Sequence, residues 1–470
     1  MGDEPQGMPS IDVGAMRKRV HDIMPGSKEA LERLVAIPSV AFAAYPREPV
    51  ERAAQMAAEL LRAAGMPEVR FVEVPPDPPA VYAARPAAPG APTVLLYAHY
   101  DVQPAGLEER WESPPYESSV RGGRLYGRGS ADDKAGIVAH LGALRALGSD
   151  SPVGLKVLLD GAEETGSLGL EAYIPAHPDL VAADAVIVCD LGNVAVGKPT
   201  LTTSLRGIAT LDVTIESLAA PVHSGSYGGA VPDALVALIR LLATLHDERG
   251  RSAVAGLSAL PYRGTSPTED ELRADAGVLP GVDLVGDGPL GERLFTGPAI
   301  NVIGMDVPDV DSATNAVIAK ARARVSVRVA PSQDPAEAGA AVARHLQARV
   351  PWHVQATIVL EETGHGYLAE AGGRGHHLAR WALAEASGLT ITEIGEGGSI
   401  PLVAAFHAAA PEADLILLGV ADPSSHIHAP NESVDLDELE RCTLAEALFL
   451  AGLADGADSR HANGVEVGDD

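Results

Sequence analysis

Residues 92–102 read PTVLLYAHYDV, and this stretch decides the architecture. Val94 to Ala98 form a short apolar run with no alternation of wet and dry positions, the pattern of a strand buried on both faces. The run ends on His99 and Asp101, which as an i, i+2 pair on extended chain can point to the same side. Two later stretches have the same form: GLKVLLD at 154–160 and DAVIVCD at 184–190, each closing on an aspartate. An Ala/Leu-rich segment, AGIVAHLGALRAL at 135–147, reads as a helix between them, and ERAAQMAAELLRAA at 51–64 as a helix before them. Near-continuous apolar strands separated by helices predict a parallel or mixed sheet covered on both faces.

The texture changes near residue 206. Residues 207–217 (GIATLDVTIES) alternate apolar and polar, as for a sheet with one wet face, and 316–329 (AVIAKARARVSVRV) alternate again with basic residues on the open side. Helical patterns at 230–247 and 335–347, with strands near 299–304 and 353–360, predict the order strand–helix–strand–strand–helix–strand, an α+β sandwich. The stretch 251–296, rich in Gly, Pro and charge, reads as a long loop. After about 365 the first texture returns, with a helix at 375–387, a buried strand at 414–420 and a closing helix at 435–452; the last 16 residues read as a mobile tail. The expected organisation is an α/β domain with a mixed sheet, built from 1–205 and 365–470 and interrupted by an inserted α+β domain at 206–364.

Composition removes several functions. The 470 residues carry 35 Lys+Arg against 64 Asp+Glu, a net charge of −29. Such an excess repels phosphate backbones and anionic lipid surfaces, so neither nucleic acid nor membrane is an expected partner. No apolar run approaches the roughly 18 residues of a membrane span, and the polar, acidic start MGDEPQGMPSIDVG is unlike a signal peptide. The two cysteines, Cys189 and Cys442, cannot make a disulfide framework and read as buried apolar fillers. The expectation is a soluble, cytoplasmic protein.

Four acidic clusters stand at predicted strand ends or in the loop before a helix, where open α/β sheets bind ligands: His99 with Asp101, Asp132 with Asp133, Glu163 with Glu164, and Asp190. Each has an ordinary reading alone. A His-x-Asp pair is often a simple hydrogen bond, adjacent acids are usually solvated, and Asp190 could cap a helix. Together they would crowd like charges, which is costly unless a cation neutralises them. His with several Asp/Glu is the donor set of a zinc or manganese pair. SSHIHAPNES at 424–433 offers a further imidazole from His426 or His428. A formal dinucleotide fingerprint, GDGPLG at 286–291, lacks a preceding strand and contains Pro289, so it reads as loop.

The motifs AHYDVQP (98–104), YGRGSADDKAG (126–136), AEETGS (162–167), the Asp190 of VIVCD, VHSGSYGG (222–229), RVSVRVAP (324–331), EGGSIP (396–401) and HAPNE (428–432) together resemble the M20 di-zinc metallopeptidases. The resemblance is greatest to the carnosine-dipeptidase-like branch, that of the cytosolic non-specific dipeptidase, and runs from about residue 20 to 455. It implies a zinc-peptidase-like catalytic domain with an inserted lid and dimerisation domain. It also implies two divalent ions, zinc first, with manganese or cobalt compatible. His99 and Asp190 would hold one ion, Glu164 and His428 the other, and Asp132 would bridge them. Asp101 would orient the His99 imidazole, Glu163 would be the general base, and the Asp132–Asp133 peptide would be cis. His223 would reach the partner subunit's site in a homodimer and stabilise the oxyanion. Arg328 would bind the substrate carboxylate, as a bidentate guanidinium suits, and Asn315 and Ser399 would lie near the substrate.

The implied activity is hydrolysis of the amide bond of dipeptides with a free C-terminal carboxylate, by a water held between the metals. Removal of an acyl group from an N-acyl amino acid by the same centre is the alternative. Two departures from the family pattern stand out. Residue 395 is Gly where dipeptidase relatives often carry Arg, which leaves a substrate contact missing or supplied elsewhere, and Ala135 stands where Gly is usual.

Overall fold

The three apolar stretches become neighbours in one sheet. The computed structural model describes residues 9–149, 151–369, 372–398 and 400–462. Strands Gly154–Asp160, Thr93–His99, Ala185–Val188 and Asp414–Leu417 lie side by side in that order, all parallel. Ala80–Arg85 and then Glu68–Val72 extend one side antiparallel, and Thr200–Leu205 pairs antiparallel with Asp414–Leu417 on the other. The sheet is therefore mixed, as expected.

Both faces of Thr93–His99 are covered, which is why its sequence does not alternate. Val94, Leu96 and Ala98 join the large core beneath helices Val13–Val35, Lys134–Leu147, Arg374–Ser387 and Leu436–Ala462. Leu95 and Tyr97 are equally buried on the opposite face, where the Tyr97 ring meets Phe406 edge-on at 5.2 Å. Cys189 and Cys442 are buried and free, with their sulfurs 3.7 Å apart. Among the described residues no helix is long and apolar enough to cross a membrane.

The chain divides into two compact units. One comprises Met1–Thr202, Glu370–Glu393 and Ala405–Asp470; the other comprises Thr203–Ala369 and Ile394–Ala404. Residues 394–404, grouped by the sequence reading with the C-terminal part, thus fall in the second unit.

The second unit has the expected strand–helix order. Its antiparallel sheet runs Ala299–Asp306, Lys320–Val329, Gly207–Glu216, Gln355–Gly364. Alternation sends Leu211, Val213, Val325 and Val327 onto helices Ala234–Leu242 and Pro335–Gln347. The opposite set points outward, where Arg322 and Arg324 donate to Asp212.

Some expectations shift. Within the predicted loop 251–296, Thr268 and Glu271 form a capping box that starts the short helix Glu269–Asp275. The first helix, Val13–Val35, escaped the sequence reading because Pro25 interrupts its pattern. The closing helix runs to Ala462 rather than 452.

Candidate metal centre

The order of the parallel strands builds the site. Carboxyl ends of neighbouring parallel strands open on one edge of the sheet, where loops have room to diverge. Across that edge come the turn with Glu163 and Glu164 after Gly154–Asp160, then His99 and Asp101, then Asp190 after Ala185–Val188. His428 lies beyond Asp414–Leu417. Asp132 comes from the loop before helix Lys134–Leu147, and the Asp132–Asp133 peptide is cis. All these residues belong to the first unit.

They converge as two groups that share one carboxylate. The potential ligand atoms of His99, Asp132 and Asp190 lie within 4.8 Å of one another, as do those of Asp132, Glu164 and His428. His99 Nε2 is 3.0 Å from Asp132 Oδ1 and 3.5 Å from Asp190 Oδ1. The other oxygen, Asp132 Oδ2, is 2.8 Å from His428 Nε2, which is 3.2 Å from Glu164 Oε2. Asp132 thus turns one oxygen to each group. His426, the other imidazole of the pair, is exposed and in neither group.

Hydrogen bonds behind these groups set their aim. His99 Nδ1 is 3.3 Å from Asp101 Oδ1, so its Nε2 is the nitrogen turned toward the acids. Asp101 also accepts from the amides of Glu163 and Glu164 at 3.1 and 3.2 Å. One buried carboxylate therefore orients the imidazole and holds the two-glutamate turn. Asp133 turns away from both groups, and its Oδ2 accepts from His99 N at 3.1 Å.

The sequence reading missed two further supports. Gln103 donates its amide and side-chain nitrogens to the two oxygens of Glu164 at 3.0 and 2.7 Å. Asp160 accepts from Gly161 N and Ser167 Oγ at 2.6 and 2.5 Å and fixes the turn from below. Gln103 lies inside the motif AHYDVQP, and Asp160 closes the apolar run 154–160 just before AEETGS; those positions were the only signal for either.

The electrostatics call for cations. Burial pushes Asp190 up to about 6, against the opposing pull of His99. Burial and then the Asp190 charge push Glu163 well above the usual carboxylate range. Burial also raises Asp132, but the hydrogen bonds from His428 and His99 outweigh it and hold that carboxyl well below its ordinary value. Bonds to Asp132 and Glu164 push the exposed His428 imidazole up to about 10. Three carboxylates and two imidazoles, oxygen and nitrogen donors with one carboxylate facing both groups, fit a divalent metal centre.

The second unit holds the other predicted residues. The His223 backbone pairs with Ala316, and Ser224 N donates to Asn315 O at 2.9 Å, so His223 and Asn315 sit on adjoining segments. His223 also occupies the N-cap position of helix Ser224–Tyr227, but its side chain makes no capping bond. Arg328 is on the outward face of Lys320–Val329, half-buried. Ser399 lies outside the described residues.

Gly395 has a steric reason. A Cβ there would come within 2.6 Å of Phe295 Cβ and of Ser204 Oγ, and Gly395 N donates to the Tyr262 hydroxyl at 2.9 Å. An arginine does not fit without rearrangement. Arg206, which the sequence reading did not single out, brings a guanidinium to the residues just after strand Thr392–Glu396, its Nε donating to Gly397 O at 3.1 Å. Burial lowers it to about 10, the Arg328 charge adds to that lowering, and Glu396 opposes it.

Comparison with known proteins agrees with this geometry. Residues 95–451 match the model of peptidase family M20/M25/M40. The chain is 41% identical over 367 residues to the cysteinylglycine-S-conjugate dipeptidase of Corynebacterium striatum, covering 77% of this chain and 81% of that protein. It is 27% identical over 461 residues to the beta-Ala-His dipeptidase of Rattus norvegicus, covering 90% and 92%. The solved structure of the dipeptidase Dug1p from Saccharomyces cerevisiae superposes with a TM-score of 0.80 at 24% identity, covering 94% of this chain and 98% of that one. A family match over most of the chain, with a metal-ligand cluster at the strand ends where the motifs fall, leads to one conclusion: the chain belongs to peptidase family M20/M25/M40.

Proposed function

We propose that this protein is a metal-dependent dipeptidase that hydrolyses the amide bond of dipeptides bearing a free C-terminal carboxylate. The observation that carries this reading is the pair of donor groups sharing Asp132, with Glu163 held beside them by Asp101 but in neither group. His99, Asp190 and Asp132 would hold one divalent ion, and Glu164, His428 and Asp132 a second, with zinc the first candidate. Bound there, the ions would polarise the scissile carbonyl and acidify the attacking water.

The protein's own groups do the rest. Glu163, its carboxyl raised by burial and by the Asp190 charge, takes a proton from water as the water oxygen attacks the carbonyl carbon. It then gives that proton to the amide nitrogen as the C–N bond breaks, so the products are an acid and a free amine. Arg328, with Arg206 beside it, binds the substrate carboxylate, and Asn315 lies near the substrate. His223 stabilises the developing oxyanion.

The relatives named above are dipeptidases, which supports peptides over N-acyl amino acids as substrates. The experiment is a hydrolysis panel on metal-loaded protein. Dipeptides such as Cys-Gly and beta-Ala-His should turn over at least tenfold faster, by kcat/KM, than N-acetyl or N-succinyl amino acids. The reverse ranking would establish the deacylase instead.

The family resemblance also supports a homodimer formed through the inserted domain, with His223 serving the partner's centre. Light scattering should give the mass of two chains; a fully active single chain would overturn this part. The acidic composition and paucity of cysteine support a cytoplasmic location.

A further inference from the structure

We propose that Glu432 is the positioning residue that aims the bridging carboxylate Asp132 and ties it to His428, so that the centre is assembled before any cation arrives. This rests on reading the cluster as a two-cation site.

Glu432 closes the motif HAPNE just before strand Ser433–Asp435, yet its side chain is 0% exposed. Its oxygens are saturated by one loop. Oε1 accepts from the amides of Ala131 and Asp132 at 3.0 and 3.1 Å. Oε2 accepts from Gly129 N at 3.0 Å and from Arg128 Nη1 at 2.6 Å. The Glu432 carbonyl accepts from Gly127 N at 2.9 Å. Five donors from residues 127–132 thus close on one residue; four are backbone amides, and three of these converge on the carboxylate as in an anion-binding nest. One is the amide of Asp132 itself.

The far side of the clamp is the segment that carries His428. Arg128 Nη2 donates back to Ala429 O at 3.3 Å. His428 and Asn431 both have positive φ, +60° and +64°, a conformation uncommon for a non-glycine residue such as histidine and easier for asparagine. Asn431 is pinned in turn, its Oδ1 accepting from Glu112 N at 2.8 Å and its Nδ2 donating to Arg110 O at 3.2 Å. Glu432 therefore joins the loop presenting Asp132 to the turn presenting His428 without touching a donor atom of either.

An alternative role is simple neutralisation of Arg128, which is also buried. The two roles differ in what they predict. Neutralisation needs only a negative charge near the guanidinium. Positioning needs the two oxygens against the amides, and its loss falls unevenly. Asp132 and His428 are two of the three donors in the Glu164 group, but Asp132 is the only one of them in the His99 group.

The test uses the full-length protein, stripped with chelator and titrated with zinc by calorimetry, alongside thermal unfolding. In Glu432→Gln, one zinc should bind near wild-type strength and the second at least about tenfold more weakly, the scale seen when groups supporting metal ligands are removed. The double variant Arg128→Gln/Glu432→Gln removes both charges together. It should recover thermal stability but not the second zinc. Wild-type binding of both ions in either folded variant, or recovery of the second ion in the double variant, would overturn the proposal.

Amide exchange on stripped wild-type protein covers the case in which neither variant folds. Peptides spanning 127–133 should be protected before metal is added; free exchange there until metal binds would also overturn the proposal. If wild-type protein takes up no zinc, the two-cation reading fails, and the exchange result still decides whether Glu432 holds the loop.

Discussion

Glu163→Gln abolishes turnover and leaves the metal content at the wild-type value: that is the largest single effect expected of any substitution here. Glutamine keeps the shape and cannot take a proton. Glu163 is in neither donor group, and its amide, not its carboxylate, is held by Asp101. The backbone turn that presents Glu164 is therefore undisturbed. A positioned general base contributes about 10²–10⁴-fold. In the proposed mechanism Glu163 serves both the attacking water and the leaving amine, so kcat should fall by the upper end of that range while KM changes little. Steady-state kinetics with metal analysis of the same sample checks both halves. Retained hydrolysis would remove Glu163 from the mechanism, and lost metal would make it a ligand.

Asp132→Asn should cost more metal than any other single change, because Asp132 alone faces both groups. Its Oδ1 turns to His99 and its Oδ2 to His428. An amide offers one weak acceptor and puts an NH2 toward the other group, so both sites lose affinity. Metal analysis after dialysis should find fewer ions than in His428→Ala, which spares the His99 group. A full metal complement in Asp132→Asn would end its assignment as bridge. The same titration has a pH signature. In the metal-free protein His428 is raised to about 10 by its bonds to Asp132 and Glu164. A cation requires the neutral imidazole, so binding below that pH expels a proton. Affinity should therefore climb as pH rises toward about 10, with proton release measurable in buffers of different ionisation enthalpy.

How much of this was legible can be traced through individual residues. The strand at 93–99 was plain because burial on both faces erases alternation, and that signal is local. His99, Asp132, Glu163, Glu164 and Asp190 stood out because each is a charged or imidazole group at the end of an apolar run or in a Gly-rich loop. His428 was harder. His426 has the same neighbours in sequence, and only the chain's path beyond Asp414–Leu417 turns one imidazole to the acids and leaves the other in neither donor group. Gly395 was visible as a departure from the family pattern, but its cause, the Phe295 and Ser204 atoms 2.6 Å from where a Cβ would stand, lies 100 and 191 residues away. Glu432 carried no signal of burial at all, since acidic residues in turns are usually solvated.

The order of residues alone settled what depends on neighbours along the chain: alternating or continuous apolar runs, hence strands with one wet face or none, and the kinds of side chain at their ends. Tertiary structure alone decided what depends on adjacency across strands. The chain runs through Thr93–His99, Gly154–Asp160, Ala185–Val188 and Asp414–Leu417, but the sheet places them with Gly154–Asp160 first. That exchange sets Glu164 to one side of His99 and Asp190 to the other, leaving Asp132 to face both groups. The physical reason is that strand order is chosen by how the whole set of helices and strands buries its apolar faces together, a property no single segment possesses.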